Sequence, residues 1–94
     1  MVFNWSNEKN IELKKTRNIS FEEIVISIEN SDILDVLINS SPKYKNQIVI
    51  IVKYEDYAYV VPAIKTGDEY FLKTIFPSRK YTNKYLKKGK ENEK

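Results

Sequence analysis

The sequence has no cysteine and no histidine, and only two glycines and three prolines among its 94 residues. Without cysteine there can be no disulfide framework, thiol nucleophile or thiolate metal site. This composition fits a reducing compartment, so we expect a cytoplasmic location. Without histidine, the Ser-His-Asp and Cys-His arrangements and the usual zinc sites are excluded as well. Any chemistry must rest on carboxylates, amines, guanidinium groups and phenols.

Several further patterns are missing. Neither G-x-x-x-x-G-K-[ST] nor G-x-G-x-x-G occurs, which excludes a glycine-rich nucleotide cradle. No apolar run approaches the roughly 18 residues of a membrane span, so we expect no targeting segment and no membrane partner. The acidic pairs stand at predicted helix starts and turns, where capping and solvation explain them better than metal binding. They are Glu22-Glu23, Glu55-Asp56 and Asp68-Glu69. We therefore expect neither a metal nor another cofactor.

The length and charge distribution predict one small domain. A chain of 94 residues supports one modest core, and 41% of the residues are hydrophobic, with no internal repeat or linker. Residues 79–94 carry seven Lys or Arg and two Glu, a net charge of +5, whereas the whole chain carries +3. We expect a single domain over residues 1–86 and a basic, disordered tail over residues 87–94.

The first third of the sequence predicts a short strand and two helices. Phe3 and Trp5 share one side of an extended start, and Ser6 or Asn7 can cap a helix that runs to Arg17. Ser20 and Glu23 form a capping box at the start of a second helix, about Phe21–Glu29.

The remainder predicts mainly strands. Apolar and aromatic residues fill four segments that turn residues separate, and a short helix or an extended arm follows Pro77, which should end the last strand. The predicted strands are Ile33–Ile38, Gln47–Tyr54, Tyr57–Ile64 and Glu69–Phe76; the loop is Asn39–Asn46, and the terminal segment is Ser78–Leu86. The fold class is therefore α+β, with the N-terminal strand and both helices packed on a twisted antiparallel sheet.

Cations alternate with tyrosines near the end of the predicted domain. Amines and guanidinium groups can neutralise phosphate, and tyrosine rings can stack on unpaired bases at about 1–3 kcal/mol each, which predicts RNA binding. The residues concerned are Lys73, Arg79, Lys80, Tyr81, Lys84 and Tyr85. Lys53 joins them because it stands inside an apolar strand. A lysine whose stem covers apolar surface explains Lys53 and Lys73 equally well, and the tyrosines of the strands are typical of sheet packing.

Four short segments follow one another in a fixed order. They are Phe3-Asn4-Trp5 with Lys9, Ile19-Ser20-Phe21-Glu22-Glu23, Lys53 in a hairpin strand, and Pro77-Ser78-Arg79-Lys80-Tyr81-Thr82. In these segments the sequence resembles the BrnT-type toxins of bacterial toxin-antitoxin pairs. It runs from about Val2 to Tyr85. The chain departs from the family pattern at Ser6, at Thr16-Arg17 and at Val52.

The resemblance implies a compact RelE-like fold and a metal-independent endoribonuclease that inhibits translation. It also implies a small DNA-binding antitoxin partner, through which alone the pair would contact operator DNA. Lys53 and Arg79 match the basic cleavage site of the family. Chemistry adds Lys73 and Tyr81 as candidate catalytic neighbours, and Lys80, Lys84 and Tyr85 as RNA-binding residues. Free lysine and tyrosine titrate near 10.4 and 10, so either residue can act as a base only if burial or neighbouring cations shift its pKa downward.

The rival hypothesis is a non-catalytic module that uses the same basic face to bind RNA or an acidic protein segment. Such binding would be sensitive to salt and would leave RNA intact.

Overall fold

The computed structural model describes residues 1–38 and 46–86. The predicted loop, apart from Asn46, and the predicted tail lie outside these residues. The elements are β1 (Val2–Trp5), α1 (Asn7–Arg17), α2 (Phe21–Glu29), β2 (Ile33–Ile38), β3 (Gln47–Tyr54), β4 (Tyr57–Thr66), β5 (Glu69–Leu72), β6 (Phe76–Pro77) and α3 (Arg79–Tyr85). The expected α+β class is confirmed.

The two long helices begin where the capping residues predict. The Ser6 side chain accepts a hydrogen bond from the Lys9 amide at 3.3 Å, and Ser20 and Glu23 complete the capping box of α2. Asn18 ends α1 in the left-handed conformation, with φ of 55°. Buried Asn10 then joins the helices, because its amide oxygen accepts from the Phe21 N–H at 2.8 Å.

The sheet has the order β1-β5-β4-β3-β2, and β6 pairs with β4 beyond the end of β5. The pairs from β2 to β5 are antiparallel, as predicted. The N-terminal strand was predicted to pack on an antiparallel sheet, but β1 joins the sheet, parallel to β5, so the sheet is mixed. Tight turns force consecutive strands to be antiparallel. No such turn joins β1 to β5, so no local signal in the sequence sets its direction.

The last predicted strand is interrupted. Its pairing with β4 holds to Leu72, shifts by one residue, and resumes at Phe76, so Pro77 lies within β6 rather than after the strand. β6 is short and its proline needs no amide partner at the sheet edge. The interruption directs the Ile75 side chain into the core, where it is fully buried. The Arg17 guanidinium donates a hydrogen bond to the Ile75 carbonyl at 2.6 Å.

Both faces of the sheet are covered, but by different helices. The first face, defined by Ile48, Ile50 and Val52 of β3, packs against α1 and α2 and forms the main core. The second face, defined by Val49, Ile51 and Lys53, carries a smaller cluster against which α3 packs. Two helices lie on one face, as predicted, and α3 occupies the other.

Candidate functional site

Short hydrogen bonds hold α3 against the start of β4. The Ser78 amide donates to the Ala58 carbonyl at 2.9 Å, and the Ala58 amide donates to Thr82 Oγ1 at 2.8 Å. Thr82 is buried and donates its own hydroxyl proton to the Ser78 carbonyl at 2.7 Å. The helix is therefore fixed to the sheet by its buried side, which leaves its outer side to solvent.

Two rows of side chains run along α3: exposed lysines on its outer side, and half-buried tyrosines that pack against the small cluster of the second face. Lys80 and Lys84 are one helical turn apart, as are Tyr81 and Tyr85, because each pair is spaced by four residues. The tyrosine rings stack with centroids 6.0 Å apart, and the lysine Nζ atoms lie 5.3 Å and 5.2 Å from the centroids of Tyr81 and Tyr85. We call these four residues the cation-tyrosine row. A base can stack on either ring only if the covering ammonium swings away, for example to a phosphate.

Tyr85 is tied to the sheet by a carboxylate that sequence reasoning did not single out. Its hydroxyl donates to Asp35 Oδ2 at 2.5 Å, and Asp35 Oδ1 accepts from the Val36 amide at 2.8 Å. The bond to Asp35 raises the pKa of Tyr85 to about 12, and the same bond, with help from the Val36 amide, lowers the pKa of Asp35. Asp35 and Tyr85 lie 50 positions apart, and only the register of β2 beneath α3 brings them together.

These pKa shifts predict a measurable titration. The Tyr85 phenol is favoured in the folded protein, so its contribution to stability is complete below about pH 10 and lost as the pH rises through about 12. Asp35 acts in the opposite sense, because its lowered pKa means that stability is lost as the pH falls below the usual titration of aspartate. Ultraviolet absorbance should show Tyr85 ionising near pH 12, above the value of a free tyrosine.

Tyr54 must be separated from Tyr85 in that titration. Its hydroxyl donates to Glu23 Oε2 at 2.5 Å, which raises the pKa of Tyr54 to about 12 and lowers that of Glu23. We expect Asp35→Asn to move the ionisation of Tyr85 to lower pH and Tyr85→Phe to remove it, while Tyr54→Phe removes the ionisation of Tyr54. Burial also raises the pKa of Tyr59, and its ionisation should stay the same in all three variants. An unchanged titration in Asp35→Asn would contradict the assigned hydrogen bond.

Lys53 and Arg79 lie at the same end of the second face. Lys53 is paired in register with Ala58, and Ala58 is bonded to Ser78 and Thr82 on either side of Arg79. The Arg79 side chain is exposed at the start of α3. The Lys53 Nζ lies 3.9 Å from Asp56 Oδ1, an exposed ion pair that contributes little and can break easily.

Lys73 stands apart from this end of the face. Its amide donates to the Pro62 carbonyl at 2.8 Å, four residues along β4 from Ala58. A strand rises about 3.3 Å per residue, so Lys73 lies about 13 Å along β4 from the position that is paired with Lys53. The structure therefore brings together Lys53, Arg79 and the cation-tyrosine row, and it leaves Lys73 beside a different part of the face.

Within the described residues, no helix is long and apolar enough to cross a membrane, and no three carboxylates converge as metal ligands would. The chain matches no protein-family model and has no significant match among curated proteins or solved structures. The class of molecule is thus defined by its own architecture, a small α+β domain with a mixed sheet and a basic helix on one face.

Proposed function

We propose that this chain is a BrnT-type toxin with a RelE-like fold, acting in the cytoplasm as a metal-independent endoribonuclease that inhibits translation. A small DNA-binding antitoxin would neutralise it and repress their shared operon. The observation that carries the proposal is the placement of Lys53 and Arg79 beside the cation-tyrosine row on one sheet face. The resemblance at Phe3-Asn4-Trp5 and at Ser20-Phe21-Glu22-Glu23 also supports the proposal, although these residues belong to the first face.

The proposed reaction is an intramolecular transfer within RNA. The ribose 2′-oxygen attacks the adjacent phosphorus, the bond to the 5′-oxygen breaks, and a 2′,3′-cyclic phosphate and a 5′-hydroxyl end result. A base takes the proton from the 2′-hydroxyl, and the leaving 5′-oxygen takes a proton from water. Arg79 and Lys53 stabilise the charge that develops on the phosphate oxygens, an effect that dominates in such sites. Lys53 becomes available when it leaves Asp56.

Tyr81 is the first candidate base, and because it lies two residues beyond Arg79 on α3, the two side chains point to different sides of the helix and the RNA would have to reach both. Lys73 is the second candidate base, and it can take part only if the RNA follows β4 for about 13 Å from the position paired with Lys53. Lys80 and Lys84 then bind flanking phosphates, and Tyr85, whose hydroxyl is engaged by Asp35, offers its ring. RNA would cross α3 along its outer side.

The cation-tyrosine row can be tested with a charge-reversed double variant. We expect Lys80→Glu with Lys84→Glu to weaken binding to a single-stranded RNA of about 12 nucleotides. The plot of log K against log salt should flatten by about 1.4, because each lost phosphate contact removes about 0.7 from its slope. Fluorescence anisotropy over a range of salt concentrations measures both quantities.

The matched control is Lys14→Glu with Lys15→Glu. These lysines are also exposed neighbours on a helix, but they lie on α1, which packs on the first face. The control makes the same change in net charge and should leave the salt slope of the row intact. Equal losses in both double variants would show that only net charge matters and would remove the row from the RNA site.

The alternative function is a non-catalytic binding module, and one observation favours it. The tyrosine rings are half-buried and covered by their own lysines, which is an arrangement for binding and supplies no chemistry by itself. Salt-sensitive binding by wild-type protein that leaves the RNA intact would favour this module over the ribonuclease.

A further inference from the structure

β2 forms one edge of the sheet, and a row of its apolar side chains stays exposed there. Strand register pairs three residues of β2 with the β3 residues of the main core, so all three lie on the first face. They are Ile33, Val36 and Ile38, which are 37%, 44% and 76% exposed. α2 packs chiefly on β3 and leaves them uncovered. We call these three residues the edge row.

The main chain of β2 also offers hydrogen bonds at this edge. The Val36 amide donates to Asp35 Oδ1 at 2.8 Å, so it points away from β3. Within a strand the amide and carbonyl of one residue point to the same side, and that side alternates from residue to residue. The amides and carbonyls of Val36 and Ile38 therefore point outward, where a further strand can pair with them.

β2 has few of the features that keep sheet edges apart. Edge strands of monomeric proteins are commonly short or carry lysine or proline. β2 has six residues, no lysine or proline, and a single charge at Asp35, which Tyr85 and the Val36 amide engage. A bulge between Ile33 and Asp35 leaves the rest of the strand regular. β1, the other edge, has only four residues, and its two aromatic side chains stack on neighbours.

Two segments of this chain lie outside the described residues, and neither suits the edge row by its sequence. Residues 39–45 have to join Ile38 to β3, which lies on the inner side of β2. Residues 87–94 contain lysine, glutamate, asparagine and glycine but no apolar side chain. An apolar occupant of the edge therefore has to come from another chain.

We infer that β2 pairs with β2 of a second copy of this chain and joins the two sheets into one. A twofold axis perpendicular to the sheet makes the two edge strands antiparallel. With the axis at Val36, each Val36 amide donates to the Val36 carbonyl of the other copy, and Asp35 releases this amide but keeps Tyr85. The edge row then meets its own copy, so apolar side chains contact apolar side chains. Each sheet has six strands, and the joined sheet has twelve.

Charges on the second face oppose this pair only weakly. Asp35 would lie opposite Leu37 of the other copy and about 8 Å from the other Asp35, a distance of two residues along the strand and one strand spacing. That is about one Debye length at physiological salt, and Lys84 is close enough to help lower the pKa of Asp35. The axis also brings the lysines of both α3 helices to the same side, so added salt should strengthen the pair.

The pair would extend the surface that is offered to RNA. An axis perpendicular to the sheet keeps like faces together, so both α3 helices lie on the second face of the joined sheet. One RNA strand can then cross two cation-tyrosine rows. This consequence rests on the proposed function, whereas the pairing of β2 does not, and measuring association without RNA keeps the two apart.

Sedimentation velocity of the full chain, freed of nucleic acid, tests the inference over a series of protein concentrations. We expect a monomer–dimer equilibrium that salt shifts towards the dimer. Val36→Lys should weaken association about tenfold, because it removes an apolar contact and sets two like charges side by side. Val36→Glu should do the same. A mixture of the two variants should associate better than either alone, since unlike charges then meet at the axis.

Ile26→Lys is the matched control. Ile26 is 56% exposed and also belongs to an element of the first face, but it lies on α2, away from the edge. This variant makes the same chemical change and should associate as the wild type does. Circular dichroism should show that all the variants are folded.

A cysteine variant keeps the inference testable even if Val36→Lys fails to fold. The chain has no cysteine of its own. Two residues that face each other in a hydrogen-bonded antiparallel pair have Cα atoms about 5.5 Å apart, which suits a disulfide. Mild oxidation should therefore crosslink Val36→Cys into a dimer and leave Ile26→Cys monomeric.

Several results would overturn the inference. These are a wild type that stays monomeric throughout the series, association of Val36→Lys equal to that of wild type, equal losses in Ile26→Lys, or equal crosslinking of the two cysteine variants. Association that nuclease treatment abolishes would assign it to bridging by RNA. Protection of the Ile38 amide from hydrogen exchange in a monomer would assign the edge to a segment of this chain.

Discussion

Replacing Arg79 with alanine should abolish RNA cleavage while the domain stays folded. Loss of one donor that stabilises the developing charge costs about a hundredfold to a thousandfold in rate. The fold should tolerate the change, because the side chain is exposed and the cap of α3 is supplied by Ser78. Inducible expression in a bacterial host, with growth and total RNA followed over the first hour, should show arrest and fragmentation for wild type only.

Two further variants serve as controls for the Arg79→Ala result. Lys14→Ala also removes an exposed cation from a helix, but from α1 on the other side of the sheet, and it should remain toxic. Arg79→Lys keeps the charge but loses the forked donors, so it should recover part of the activity.

The opposite outcomes are equally informative. Cleavage that persists in folded Arg79→Ala would remove this residue from the mechanism. Unchanged growth and intact RNA with folded wild-type protein would favour the binding module over the ribonuclease.

Local signals predicted the elements well because each is encoded by neighbouring residues. The capping box at Ser20 and Glu23 placed the start of α2, and two turn residues, Glu55 and Asp56, placed the hairpin of β3 and β4. Both turn residues adopt positive φ, of 51° and 62°, which lets a two-residue connection match the twist of the strands.

Features that depend on distant residues were not predictable from the sequence. The parallel direction of β1 is set by pairing with β5, 67 residues further along the chain, since Val2 lies opposite Glu69. The Tyr85–Asp35 bond likewise requires α3 to fold back over β2. Neither has a motif, because the contact exists only after the sheet has formed.

The candidate site was predictable in part, for the same reason. The spacing of Lys80, Tyr81, Lys84 and Tyr85 already gives two rows once a helix forms. That Lys53 shares a face with α3, and that Lys73 lies about 13 Å further along β4, follows only from the strand register.

Replacing Phe21 with alanine should give the largest loss of stability. Its side chain is fully buried and stacks on Trp5, with ring centroids 5.6 Å apart. Removing a buried phenylalanine costs about 3–5 kcal/mol, from lost transfer free energy and the cavity left behind. Since a domain of this size is stable by about 5–14 kcal/mol, the midpoint of urea unfolding should fall sharply.

Ile26→Ala is the matched control on the same helix. Its side chain is 56% exposed, so the change in the free energy of unfolding should stay within about 0.5 kcal/mol. A loss of less than about 1 kcal/mol for Phe21→Ala would mean that α2 does not pack on the first face as described.

The Phe21 variant also separates two kinds of support for the proposed function. The residues that carry the N-terminal resemblance lie in the main core or cap α2: Trp5 and Phe21 pack on the first face, and Ser20 and Glu23 form the capping box. Arg79 begins α3, which packs on the second face. Phe21→Ala should therefore lower the fraction of folded protein without changing the cleavage rate of each folded molecule, and Arg79→Ala should do the reverse. A cleavage rate per folded molecule that falls in Phe21→Ala would tie the first face to the chemistry.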